Sequence, residues 1–404
     1  YNSPKLPTLL KLMGHIFGDG VLYFSGKGFI QCYGRKEDLL TIKNELKEIG
    51  ISGANLFERD RDHRIETKYG VYEFSNTEYR LQKGATSFFA ILVALGCPHG
   101  KKTLQGYGVP RWIMTAHLWQ KRLFLASFFG AEMSTPSTLN KYNFYEPQLS
   151  MNKLKTLEQS AVMFLNNIRK LVEEFGVTSS EPVRVDGYEY DGIDGVTVGW
   201  RILIHSNPEN HLKFLETVGF EFCREKQKLA SLAANYLRIK TRVIQQRTVV
   251  RKIARRMYQK SMLVSAIVNR LSEPYADEQF IKHSVWSTGR DEPRIASDFP
   301  SFEEYCQEYA MGEDGFALAE IEVIKKIPYE GLVYDVTMND EDHNFIASNI
   351  VVSNCGVRLL RTNVKKEEVM PKIKELLDAM FQNVPPGVGR RSNVRLTNKD
   401  LDEV

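Results

Sequence analysis

Two short stretches constrain this chain more than any other feature. Leu12 to Gly20 reads LMGHIFGDG and Leu125 to Met133 reads LASFFGAEM. Both are apolar and end in an acid, Asp19 or Glu132, and both carry small residues four apart: Gly14 with Gly18, and Ser127 with Ala131. Residues four apart share one helix face, and faces of small residues let two helix backbones approach closely. Two such helices are predicted to pack together and to bring both acids to one pseudo-symmetric spot. A repeat of this kind decides the fold before any local reading does.

The segments downstream of the two stretches also repeat, with drift. Ile42–Ile51 (IKNELKEIGI) and Ile168–Val177 (IRKLVEEFGV) are amphipathic helices, each closed by a glycine, Gly50 or Gly176. EYRLQ around Tyr79 and GWRILIHS around Trp200 alternate as strands do. These elements predict an α+β chain with two half-domains, residues 1–119 and 120–240. Residues 241–318 continue as a basic helical and linker region, in which 273–318 has no assignable role. From 319 to 354 short strands broken by Gly331, Asp340 and Asn349 predict a small β unit, and 355–404 returns to an amphipathic helix of another fold.

No Asp or Glu occurs from Lys226 to Ser272, whereas Arg238, Lys240, Arg242, Arg247, Arg251, Lys252, Arg255 and Arg256 accumulate there. Ile253 and Met257 suggest one apolar side to a helix whose other faces are basic. That predicts a phosphate-binding surface, here for double-stranded DNA. Local clustering has to carry this expectation, because the net charge of the 404 residues is only +4. Five scattered cysteines without a C-x-x-C pair suit a reducing cytoplasm. No apolar run approaches the ~18 residues that suggest a bilayer span, so no membrane partner is expected. Tyr1 at the start suggests a piece of a longer chain.

Hydrolysis of a phosphodiester calls for divalent cations that bind phosphate and activate water, and hard Mg²⁺ prefers carboxylate oxygens. Asp19 and Glu132 are the candidates to share it. LLKLMGHIFGDGVLYF and KRLFLASFFGAEMS resemble the paired motifs of LAGLIDADG homing endonucleases, over roughly Leu9 to Lys240. The resemblance implies two αββαββα halves whose sheets form a DNA-gripping saddle, with Asp19 and Glu132 as Mg²⁺ ligands. Phe17 and Gly130 stand where many members carry another acid. Lys102 is the candidate for the family's lysine, although Tyr107 and Gly108 occupy the neighbourhood where it often lies.

GLVYDVTMNDEDHNFIASNIVVSNC resembles the C-terminal, Hint-type splicing end of an intein. The Asn354 amide would attack its own carbonyl carbon and break the bond to Cys355, the thiol nucleophile. His343 would protonate the leaving amine and Asp335 would tune the thiol. Ser353 stands where many inteins have a second histidine, and the motifs of an intein's beginning are not visible before Leu9. The missing N-terminal intein and host segments are therefore expected partners. CGVRLLRTNVKKEEVMPKIKELLDAMFQNVPPGVG resembles RtcB-type RNA ligases, which join RNA ends with GTP and Mn²⁺ and in which Cys355 would ligate Mn²⁺. The expectation is thus an intein-encoded, site-specific DNA endonuclease within a ligase precursor. The alternatives are a splicing element with a decayed endonuclease, or a fragment of the host RNA ligase.

Overall fold

The computed structural model describes residues 3–67, 70–286 and 293–309, and shorter stretches at 321, 323–328, 330, 344–347, 350–353 and 369–376. The chain divides into two units, residues 1–325 and 326–404.

The first unit opens with α1 (Leu6–Phe17), β1 (Gly20–Ser25), β2 (Lys27–Gly34), α2 (Lys36–Glu48), β3 (Asn55–Thr67), β4 (Gly70–Gly84) and α3 (Thr86–Ala94). Its four strands form one antiparallel sheet in the order β1-β2-β4-β3. Alternation sets the sheet's two faces. Leu22, Ile30, Cys32 and Leu81 point into the core, while Tyr23, Tyr33 and Gln82 line the opposite side.

After the single turn α4 (Arg111–Met114) come α5 (Leu118–Glu132), β5 (Gln148–Leu154), α6 (Glu158–Glu173), β6 (Val183–Gly192), β7 (Gly195–Leu203) and α7 (Pro208–Thr217). Three strands pair here, in the order β5-β7-β6. One strand fewer forms than in the first half, because residues 133–147 make only isolated bridges, Met133 with Leu149 and Thr138 with Phe144. Pro136 and Pro147 lack ladder donors. The Tyr142 carbonyl accepts from Lys240 Nζ at 2.7 Å instead of from a strand.

α1 and α5 pack backbone to backbone. A Cβ on Gly14 would lie 2.2 Å from the Phe124 carbonyl oxygen, and one on Gly18 would lie 2.5 Å from the Ala131 Cβ. Ser127 Oγ donates to the Lys11 carbonyl at 2.6 Å across the same seam. Gly130 is equally constrained, since a Cβ there would fall 1.9 Å from the Glu221 carbonyl oxygen. An acid has no room at that position.

α8 (Arg224–Gln259) runs unbroken through residue 240, where the sequence reading draws a domain boundary, and the other boundary, at 119/120, falls inside α5. No Gly or Pro interrupts residues 224–259, and the Asp38 carboxylate caps the helix start by accepting from the Arg224 N–H at 2.9 Å. The early turns of α8 bury Leu232, Ala233, Tyr236 and Leu237 in the main core. The later turns join a smaller core with α9 (Val264–Leu271) and α10 (Glu278–Trp286), built on Val250, Ala254, Ile267 and Ile281. α11 (Phe302–Tyr309) sets Phe302 and Tyr305 against Tyr236.

In the second unit, β8 (Asn344–Ala347) and β9 (Ile350–Ser353) form an antiparallel hairpin with Asn344 opposite Ser353. No described helix is long and apolar enough to cross a membrane.

Candidate functional site

Asp19 follows Gly18, the residue that closes α1, and Glu132 is the last residue of α5. The glycine seam between the helices therefore delivers both acids to the same end of the pair. Asp19 acts on Glu132. Burial is the main cause that pushes Glu132 up to about 7, the Asp19 charge adds to it, and Lys102 and Lys226 oppose it. Asp19 is raised too, by desolvation first, against the same two lysines. The residue stays exposed to solvent.

Each acid-bearing helix end is capped by a lysine from elsewhere in the chain. Lys102, in a 3-10 turn at Lys102–Leu104, donates Nζ to the carbonyls of Ile16 at 3.1 Å and Phe17 at 3.3 Å, and also to Gly18. Lys226, in the first turn of α8, donates to Gly130 at 2.7 Å and to Phe129 and Ala131 at 3.4 Å. In both cases the three carbonyls are those directly before the acid. A cation is favoured where unpaired carbonyls end a helix. Burial lowers both lysines, while Glu132 and Asp19 pull the other way.

The sequence singles out Lys102 but marks Lys226 only as the edge of a basic run. The two lysines lie at different distances along the chain from their acids, so spacing could not reveal their equivalence. Lys153 on β5 is not singled out. It has no exposed surface, and its Nζ donates to the carbonyls of Lys102 and, at 2.7 Å, Gln105. Alternation along β5 points Lys153 inward with Leu149, a weak signal that was available.

The basic run divides by role. Lys240 is buried and donates to Tyr142 and to Asn143 Oδ1 at 2.7 Å. Arg247 and Arg251 lie over the Phe280 ring at 3.9 and 5.5 Å, Arg255 Nε donates to the Ser284 carbonyl at 3.0 Å, and Arg238 pairs with Glu216 at 2.6 Å. Lys240, Arg247, Arg251 and Arg255 contribute to the helical packing, while Arg238 is exposed. Amphipathicity sets the packed side: Val250 and Ala254 are buried with Arg251, and Ile253 is 39% exposed. Arg242, Lys252 and Arg256 remain on the surface.

The outward face of the first sheet is polar and aromatic. Gln31 Nε2 donates to Gln82 Oε1 at 2.6 Å, Tyr33 OH donates to Gln31 Oε1 at 3.0 Å, and Arg80 lies 5.0 Å above the Phe57 ring. On the second sheet Arg201 donates to Gln148 Oε1 at 3.4 Å. Asp335, His343, Asn354 and Cys355 lie outside the described residues.

Two carboxylates supply hard oxygen donors for a divalent cation, and two lysines lie beside them. Among the described residues no group of three His, Cys, Asp or Glu side chains gathers to hold a metal. Any cation here would complete its shell with water or substrate oxygens, as Mg²⁺ commonly does. Burial raises both acids, and the Asp19 charge raises Glu132 further; a bound cation's charge would relieve that.

The family model for tRNA-splicing ligase RtcB matches residues 321–404. A tRNA-splicing ligase RtcB of Pyrococcus furiosus is 34% identical over 413 residues, covering 100% of this chain and 40% of the relative. The chain thus spans about two fifths of the length of the curated ligases it matches along its whole length. A ligase of the same name from Thermococcus kodakarensis is 61% identical over 51 residues, 13% of this chain and 11% of the relative. The DNA-directed RNA polymerase subunit Rpo1N of Methanocaldococcus jannaschii is 28% identical over 88% of this chain and 23% of its own length.

These findings overturn the expectation of a LAGLIDADG homing endonuclease within an intein, and with it a site-specific DNA endonuclease as the enzyme. The matching family model is that of an RNA ligase, and a relative of that name aligns along the entire chain. Similarity to RtcB-type ligases, the alternative in the sequence reading, fits them better. The Mg²⁺ endonuclease, the DNA homing site and the separate intein segments find no support in them.

Proposed function

We propose that this chain is a section of an RtcB-type tRNA-splicing ligase polypeptide. In this reading residues 321–404 belong to the ligase proper, and the preceding residues form a module that binds polynucleotide phosphates with a divalent cation. The match of the ligase family model to 321–404 carries the first part. The boundary is supported by the polymerase subunit, a protein of another name to which most of this chain is also similar.

The module's chemistry rests on Asp19, Glu132, Lys102 and Lys226. Asp19 and Glu132 would hold a hard cation, which when bound would neutralise phosphate charge. Lys102 and Lys226 hold the helix ends that carry the acids, and each adds a positive charge beside an incoming phosphate. The tyrosine, glutamine and arginine face of the sheets supplies hydrogen bonds and ring surfaces of the kind that grip sugar, phosphate and bases. RNA is the polynucleotide that the ligase reading favours.

The ligase half of the proposal implies Mn²⁺ and GTP. Cys355 is one thiolate donor, and a thiolate site needs partner ligands. Among the described residues no such cluster gathers.

The test uses the full polypeptide that contains this chain. It should join tRNA halves when supplied with GTP and Mn²⁺, and failure to join them would remove the ligase reading. Separately, Mn²⁺ binding followed by electron paramagnetic resonance should weaken strongly in Asp19→Asn, and labelled RNA should bind in competition with unlabelled RNA. Preference for duplex DNA over RNA in that competition would overturn the choice of RNA.

A further inference from the structure

Among the described residues of the first unit, Lys153 is a fully buried cation that the proposed chemistry leaves unused. Its side chain has no exposed surface, and it extends from β5 across to residues 102–107, a segment that precedes α5. Three contacts account for its amine. Two are the carbonyls of Lys102 and Gln105, and the third is the face of Tyr107, whose ring centroid lies 3.7 Å away. An ammonium over a ring face at that distance is attracted by the ring quadrupole. Among the described residues no carboxylate pairs with Lys153, so its burial is not explained as half of an ion pair.

The segment it grips carries two groups that face the acids. Lys102 reaches the three carbonyls at the end of α1, and Lys102 and Tyr107 both interact electrostatically with Glu132. The Tyr107 ring is wedged edge-on against Phe17 at 5.7 Å and Phe164 at 5.3 Å. Hydrogen-bond geometry in a 3-10 turn is poorer than in an α-helix, and backbone carbonyls away from water call for a donor. A lysine at 153 satisfies both and stacks on the ring with the same amine.

We infer that Lys153 is a positioning residue, which fixes the 102–107 segment so that Lys102 and Tyr107 are presented to Asp19 and Glu132. The inference rests on the reading of those acids as a cation and phosphate site. It names a residue of the second half as the brace for a basic group of the first.

The experiment tracks Lys102 itself. Reductive methylation with formaldehyde and cyanoborohydride, read by mass spectrometry of proteolytic peptides, gives the reactivity of each lysine, with exposed Lys101 as the internal control. Lys153→Met should raise the Lys102 rate by about tenfold, as expected for loss of a local closing interaction, and leave Lys101 unchanged. Lys153→Arg, which keeps the donors and the cation, should restore slow labelling. Lys153→Gln, a milder change that keeps an N–H donor, should give an intermediate rate and decides the matter if the methionine variant does not fold. Wild-type labelling of Lys102 in a folded Lys153→Met or Lys153→Gln variant would overturn the inference. These rates require neither cation nor RNA, so they speak to Lys153 even if Mn²⁺ fails to bind the wild-type acids.

Discussion

Replacing Glu132 with glutamine should make the protein more stable and its cation site weaker, and the gain should depend on pH. In the unfolded chain the Glu132 carboxyl loses its proton near 4.5, whereas in the folded chain it keeps it until about 7. Folding between those values takes up a proton, so stability falls as the pH rises through that window. The shift corresponds to about 3 kcal/mol of cost that is fully present at pH 8 and absent at pH 4. Glutamine has nearly the same shape and cannot ionise, so Glu132→Gln removes the cost only where it exists. Thermal unfolding at pH 8 should move up by about 5 °C, while at pH 4.5 the two proteins should unfold together. Mn²⁺ titration of the same variant should show a large loss of affinity. In the wild type, binding at pH 6 should be roughly tenfold weaker than at pH 8, because the cation must displace the proton. A variant less stable than wild type at pH 8, or equally stabilised at both pH values, would refute the picture of two acids forced together at the helix ends.

Gly14→Ala tests the seam that forces them together. A methyl group 2.2 Å from the Phe124 carbonyl oxygen must push α1 from α5, and urea denaturation should show a loss of about 3 kcal/mol or more. On α8, Lys252→Gln with Arg256→Gln should leave stability within about 0.5 kcal/mol and flatten the salt dependence of RNA binding by about one log-log unit per lost phosphate contact. Lys240→Met should do the reverse, destabilising the fold by about 2 kcal/mol through the orphaned Tyr142 carbonyl while the salt slope stays fixed.

The repeat made the centre of the first unit legible. Gly14, Gly18, Ser127 and Ala131 announce a close helix seam by size and spacing alone, and helix geometry then carries Asp19 and Glu132 to one end of it. The strands were legible only where alternation was regular. Between residues 133 and 147 it failed, because a lysine on α8 and ring packing around Phe144 satisfy that segment instead of a ladder. On α8 composition did not separate the packed cations from the exposed ones, Arg238, Arg242, Lys252 and Arg256. A run without acids reads as a solvent-facing basic surface, yet Arg247, Arg251 and Arg255 direct their guanidinium groups at a ring and at carbonyls within the packing.

The lysines around the acids illustrate why the rest was hidden. Lys102, Lys153 and Lys226 are bound mainly to backbone carbonyls, and a carbonyl has no signature in the sequence. Nothing near Asp19 or Glu132 in the sequence identifies which distant lysine will cap its helix. Only the fold makes Lys226 the counterpart of Lys102, each touching the three carbonyls before its acid. A cap of this kind does two things at once. It satisfies a buried helix end and sets a positive charge beside a carboxylate that burial would otherwise keep protonated. Asp19 and Glu132 can then sit together at one end of the seam with Glu132 still ionising at about 7, held down from a higher value by those two lysines.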